Sequence, residues 1–215
     1  MKIVFKKGAL KRSLRQFRWA FGAAAVAMLG YCGFALADSW MFQNRENRLL
    51  EQLLHDRQAA NGAAANRGVI STASLTSPHR PLPAMTHGLI GRIDIARLGV
   101  SVIVIEGTGG KTLRRAVGHI PGTALPGQPG NVAISGHRDT FFRPLRNIRR
   151  DDIITLTTLL GEFRYRVVST KIVSPNNVTV LDPSKTEVLT LVTCYPFYYV
   201  GSAPDRFIVR AERVI

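Results

Sequence analysis

Hydrophobic and polar positions divide the chain into four regimes after its first eighteen residues. Trp19–Ala37 reads WAFGAAAVAMLGYCGFALA, nineteen residues without a charge. As a helix rising about 1.5 Å per residue it spans about 28 Å, close to the ~30 Å hydrocarbon core of a bilayer. From Asp38 to Ala60 the pattern becomes amphipathic: Leu49, Leu50, Leu53 and Leu54 form one apolar stripe, and Asp38 or Ser39 supplies an N-cap. Such a helix can stand above a membrane, pack on a domain or pair with another copy. Residues 61–86 are rich in Ala, Ser, Thr, Asn and Pro and have no clear period, which is the composition of a linker.

From His87 onward, β-branched runs are broken by Gly and Pro. Their length and alternation predict strands at Leu89–Ile95, Val100–Ile105, Asn131–Gly136, Ile153–Leu160, Glu162–Val173, Val188–Thr193 and Phe207–Val214. The fourth and fifth form a hairpin about Gly161, with Phe163, Tyr165 and Val167 alternating against Arg164 and Arg166. Lys111–Val117 and Phe141–Ile148 read as helical turns, and Pro121–Gly130 as loop. Seven or more strands with only short helical turns predict a mainly β domain over 87–215, closed as a barrel or stacked as a sandwich.

Charge sets the orientation. The net charge is +15, and residues 1–18 alone carry seven Lys/Arg and no acid. A basic head before residues 19–37 and mixed charges after them predict a single pass in the cell membrane, with a cytoplasmic N-terminus and the domain outside. Bilayer lipid is then a partner, and Trp19 and Trp40 suit its two interfaces. Ala35-Leu36-Ala37 has the small-x-small look of a cleavage site, but an eighteen-residue head is long for a signal peptide and favours a retained anchor. In the domain, basic residues are interspersed with acids and lack the aromatic–basic interleaving of an RNA-binding motif, so no nucleic-acid partner is predicted. The sequence holds no nucleotide-binding glycine loop and no His/Cys cluster with zinc spacing, so no metal is predicted.

Cysteine usage narrows the chemistry. Cys32 lies in the apolar segment, so Cys194 has no partner and a disulfide framework is excluded. Cys194 ends one predicted strand, and Arg206 opens the next. An eleven-residue connection predicts an antiparallel pair, placing both residues on one rim of the sheet. A free thiol with a pKa near ~8.5 is only a few per cent thiolate at neutrality and needs a base or a cation to react. Of the histidines, His55, His79 and His87 fall on a polar helix, a linker and the domain's first residue. His119 lies in the loop before Asn131. His137 follows the buried run NVAISG, with Asp139 close behind. Spacing alone leaves two readings open: a Cys194–His137 catalytic pair, or an inert packed thiol and a rim histidine satisfied by hydrogen bonds.

A resemblance adds to this. Thr190-Leu191-Val192-Thr193-Cys194 matches the TLxTC signature of the sortases, membrane-anchored cysteine transpeptidases, and Arg206 falls where that family has its arginine. NVAISGHRDTFF resembles the segment bearing its histidine. HIPGTALPGQPGN, RNIRRDDIITL and YPFYYVGSAPDRFIVRAERV look most like class D sortases. The resemblance runs from about Gly88 to the C-terminus and implies an eight-stranded sortase β-barrel.

It also implies roles. Cys194 would attack the Thr–Gly carbonyl of an LPXTG-like sorting signal on a secreted protein. His137 would act as general acid and then base, and Arg206 would hold the oxyanion or the substrate backbone. The acyl group would pass to an amine of a cell-envelope acceptor, with no cofactor required. Thr193 positions the peptide or is an ordinary strand threonine. Asp139 orients His137 or caps the following turn, and Tyr195, with the aromatics after it, lines substrate pockets or anchors its own loop; from its place in the chain, and not from the resemblance, His119 either touches the site or stays clear of it. Leu82-Pro83-Ala84-Met85-Thr86 approximates a sorting signal but has an extra residue and no Gly, and the Asp-Pro-aromatic lid of the pilus-building class is absent.

Overall fold

Eight strands close into a barrel, which decides between the two β architectures. The computed structural model describes residues 7–66 and 88–214. The strands are β1 (Leu89–Ile95), β2 (Val100–Glu106), β3 (Val117–His119), β4 (Gly130–Ser135), β5 (Ile153–Thr158), β6 (Gly161–Val173), β7 (Glu187–Tyr195) and β8 (Asp205–Val214). Their order around the barrel is β1-β2-β3-β4-β7-β8-β6-β5. Neighbours run antiparallel except β2/β3 and β4/β7, which are parallel. Alternate residues such as Ile93, Ile134, Leu156, Leu189, Leu191 and Val209 are buried in the interior, as the period-2 pattern requires. The β5–β6 hairpin turns at Gly161, whose φ of 142° suits glycine.

β3 departs from the pattern-based expectation altogether, and β5, β7 and β8 differ from it by about two residues at one end. β3 is only three residues, too short to show alternation, and its Val117 was absorbed into an expected helical turn that in fact occupies Gly110–Arg115 (α2). β7 also runs past Thr193 to include Cys194 and Tyr195.

Between β4 and β5 the chain crosses one end of the barrel. Phe142 and Leu145, the latter on a short 3-10 helix (Arg143–Asn147), are completely buried and join the core. The far end of this segment is fixed by Asp152, whose carboxylate accepts a two-pronged pair of hydrogen bonds from Arg97 and a third from the Arg149 N–H. Arg97 also donates to the Asn147 carbonyl at 2.7 Å. The Arg97 guanidinium holds the Asp152 carboxyl below the ordinary carboxylate range against the opposing effect of burial. Tyr165, inside the barrel, is pushed up to about 12, first by burial and then by the nearby Glu187 carboxylate.

The N-terminal helix α1 runs unbroken over Lys7–Asn66, so helix also takes the first six residues of the expected linker. The rest of that linker, with Leu82–Thr86, His79 and His87, lies outside the described residues. The chain forms two compact units, Met1–Met41 and Phe42–Ile215. Within α1, Arg15–Ala60 contains a window long and apolar enough to cross a membrane, none of it buried. In the second unit, Leu50 is buried with Leu89, Ile103 and Ala116, and Phe42, Leu49 and Leu54 pack around them. Part of the apolar stripe thus packs on the domain. Because β3 is short, it pairs with β2 only at Val104–Glu106. The Ile103 N–H, left beyond that pairing, donates to the Gln43 side chain at 2.9 Å, and Gln43 in turn donates to the Arg115 carbonyl at 2.6 Å.

Candidate active site

Three adjacent strands bring the sequence's main candidates to one level. Parallel pairing sets Ser135 of β4 against Val192 of β7. Past that pair, the Gly136 N–H donates to the Val192 carbonyl at 3.1 Å, and the Thr193 hydroxyl donates to the Gly136 carbonyl at 2.8 Å. His137 therefore leaves β4 level with Cys194. On the other side of β7, antiparallel pairing puts Cys194 directly opposite Arg206. His137 is exposed, while Cys194 and Arg206 are half-buried. Gly136 is needed for this approach: a Cβ there would stand 2.7 Å from the Phe142 ring and 2.9 Å from Val117.

Alternation along β7 sorts the rest. Thr190, Val192 and Cys194 share one face; Leu191, Thr193 and Tyr195 share the other. Thr193 is buried, and its hydroxyl is spent on the Gly136 carbonyl. Tyr195 stacks on Phe207 and meets Phe197 edge-on, with centroids 6.3 and 6.0 Å apart, in a cluster that packs on the core. Both therefore support the rim rather than face a peptide beside Cys194. Thr190 donates to the Asn131 side chain at 2.6 Å, and Asn131 donates to the carbonyls of Val180 and Asp182, tying the β6–β7 connection to the sheet.

His119 is not brought to Cys194. It is buried in β3, with Nδ1 2.8 Å from the Glu106 carboxylate and Nε2 beside the Ala124 carbonyl and the Thr123 hydroxyl. These contacts pin the loop after β3. Asp139 is exposed, and its side chain has no hydrogen bond or ion pair among the described residues, so it neither orients His137 nor caps the turn. That turn is closed by the backbone, with the Phe142 N–H on the His137 carbonyl at 3.1 Å.

Two residues of the site were missed in the sequence. Arg138 donates to the carbonyls of Tyr199 and Gly201 at 2.7 and 3.0 Å and lies over the Tyr199 ring. Arg146 lies over the Tyr198 ring. Together they tie the β7–β8 loop to the segment that follows His137. Arg206 spends one nitrogen on the carbonyls of Ala203 and Asp205, and among the described residues its other donors have no partner. The arrangement offers a thiol, an imidazole and a fixed cation on one half-open rim, a set suited to acyl transfer through a thioester. Among the described residues, no cluster of His, Cys, Asp and Glu could hold a metal ion.

Comparisons with known proteins agree with this chemistry. A family model described as Sortase domain matches residues 93–214. A Sortase D of Bacillus subtilis (strain 168) is 32% identical over 197 residues, covering 89% of this chain and 94% of that protein. Among solved structures, a Clostridium perfringens Sortase D5 transpeptidase is similar at 33% identity with a TM-score of 0.54, over 59% of this chain and 79% of that one. Sortase C1 from Streptococcus agalactiae gives 29% identity and a TM-score of 0.57, over 62% and 72%.

Proposed function

The chain belongs to the sortase family and is a cysteine transpeptidase, and from that premise we propose that Cys194, His137 and Arg206 carry the reaction on an LPXTG-like sorting signal. The Cys194 thiolate attacks the Thr carbonyl of the Thr–Gly bond. His137 protonates the departing glycine amine, and a thioester remains. An amine of a cell-envelope acceptor then attacks that thioester; His137 takes its proton, Cys194 is released and a new amide joins the two molecules. Arg206 donates to the oxygen that becomes negative in each step, and one such donor is typically worth ~3–4 kcal/mol in the transition state.

The observation that carries this reading is the alignment of the three residues across neighbouring strands, with Cys194 opposite Arg206. The apolar window of α1 anchors the enzyme in the membrane as a single pass, and the basic head keeps the N-terminus in the cytoplasm. The test is mass spectrometry of the protein with an LPXTG-type peptide and a panel of amines. A thioester on Cys194 that passes to an amine is expected. Cys194→Ala should stay folded and form neither product, whereas an active, folded Cys194→Ala protein would overturn the assignment.

A further inference from the structure

The β7–β8 loop turns large side chains into solvent at the end of the barrel where Cys194 and His137 lie. Tyr198 is 77% exposed and Val200 96%, with Tyr199 exposed between them. Three such residues in a row make a patch, unlike the scattered apolar exposure of an ordinary surface. Arginines gather around it. Arg138 and Arg146 grip the loop, and Arg143, Arg149 and Arg150 stand in the same segment. Those last three are exposed, and among the described residues their side chains have no ion pair. Residues 137–152 carry five arginines and three aspartates, and one of the three, Asp152, is already engaged by Arg97. The loop adds no acid before Asp205.

An excess of cations beside a bare aliphatic and phenolic tip fits a phospholipid surface. Guanidinium groups meet lipid phosphate, while tyrosine and valine enter the headgroup boundary. A soluble anionic polymer would satisfy the arginines and leave Tyr198 and Val200 uncovered. The course of the chain agrees with a bilayer. Phe42 and Gln43, the first residues of this unit, meet Arg115 through a cation–π contact and a hydrogen bond to its carbonyl. Arg115 stands just before β3, and the pairing of Gly118 with Ser135 sets the residues before Val117 level with His137. The sequence that leads in from the proposed anchor therefore joins the unit at the end of the barrel that bears this patch.

We propose that the loop tip Tyr198–Val200 and the arginines beside it dock on the anionic phospholipid surface of the membrane, setting the end that carries Cys194 against the bilayer. The inference rests on the membrane-anchor reading above. The test places the full chain in nanodiscs of phosphatidylcholine alone, or with about a third phosphatidylglycerol. Oxidation of side chains by hydroxyl radicals is then read by mass spectrometry. Leu160, exposed in the β5–β6 turn at the other end of the barrel, is the internal reference. Oxidation of Tyr198 and Tyr199 relative to Leu160 is expected to fall at least about five-fold in the anionic discs, the factor one arginine contributes at such a surface. High salt should restore it. An Arg143→Gln, Arg149→Gln, Arg150→Gln triple variant that melts like the native protein should lose the difference between the two lipids. Equal oxidation in both lipids, or protection that survives the triple variant, overturns the proposal. So does equal shielding by soluble polyglycerol phosphate of a chain held in phosphatidylcholine. A chain that does not stay with the discs through gel filtration overturns the anchor reading itself.

Discussion

Beside the Cys194 thiol, Thr193 acts in the direction away from it. Its hydroxyl joins the strand of Cys194 to the carbonyl of Gly136, the last residue before His137, across 57 positions of sequence. Thr193→Val keeps the shape and leaves a buried carbonyl without its donor, a change of about 1–3 kcal/mol. Thermal melting should show the loss of stability. Steady-state kinetics should show it mainly in kcat, because the spacing of His137 from Cys194 loosens while the peptide face is untouched. Thr193→Ser should restore both. A fall in KM affinity alone would place Thr193 in substrate binding instead.

At the level of elements, the segment from His137 to Asp152 is held at both ends and plugged in the middle. Phe142→Ala removes the central plug and should cost about 3–5 kcal/mol in denaturant unfolding, with turnover falling as well. Arg97 keeps the Asp152 carboxyl below the ordinary range, so its contribution is complete above that range and is lost as the pH falls through the lowered value. Asp152→Asn should therefore lower the melting temperature at neutral pH and flatten the acid limb of the stability curve. Much of this architecture was legible: alternation located the seven longer strands, and the short β7–β8 connection placed Cys194 against Arg206. β3 was not, because Val117–His119 offers no period to read. For the same reason His119 looked like a loop residue able to touch the site, since its partner Glu106 reaches it only through the parallel pairing of that short strand. The clamps made by Arg138 and Arg146 were equally hidden, because nothing local distinguishes an arginine that grips a distant loop from one in solvent.

The folded unit begins at Phe42, well before the barrel. Leu50 alone buries a whole side chain there, worth about 1.5–3 kcal/mol, and Gln43 covers backbone that β3 is too short to pair. A protein starting at residue 42 should melt above one starting at residue 67, and the shorter one should self-associate in sedimentation because an uncovered strand edge is a template for pairing. Arg206 lies on β8, the strand that joins β7 to β6 and completes the ring. During synthesis from the N-terminus, the ribosome makes Cys194 and His137 before any of that strand exists. On the roles proposed above, the nascent chain carries its thiol without its cation until the strand that closes the ring has been made.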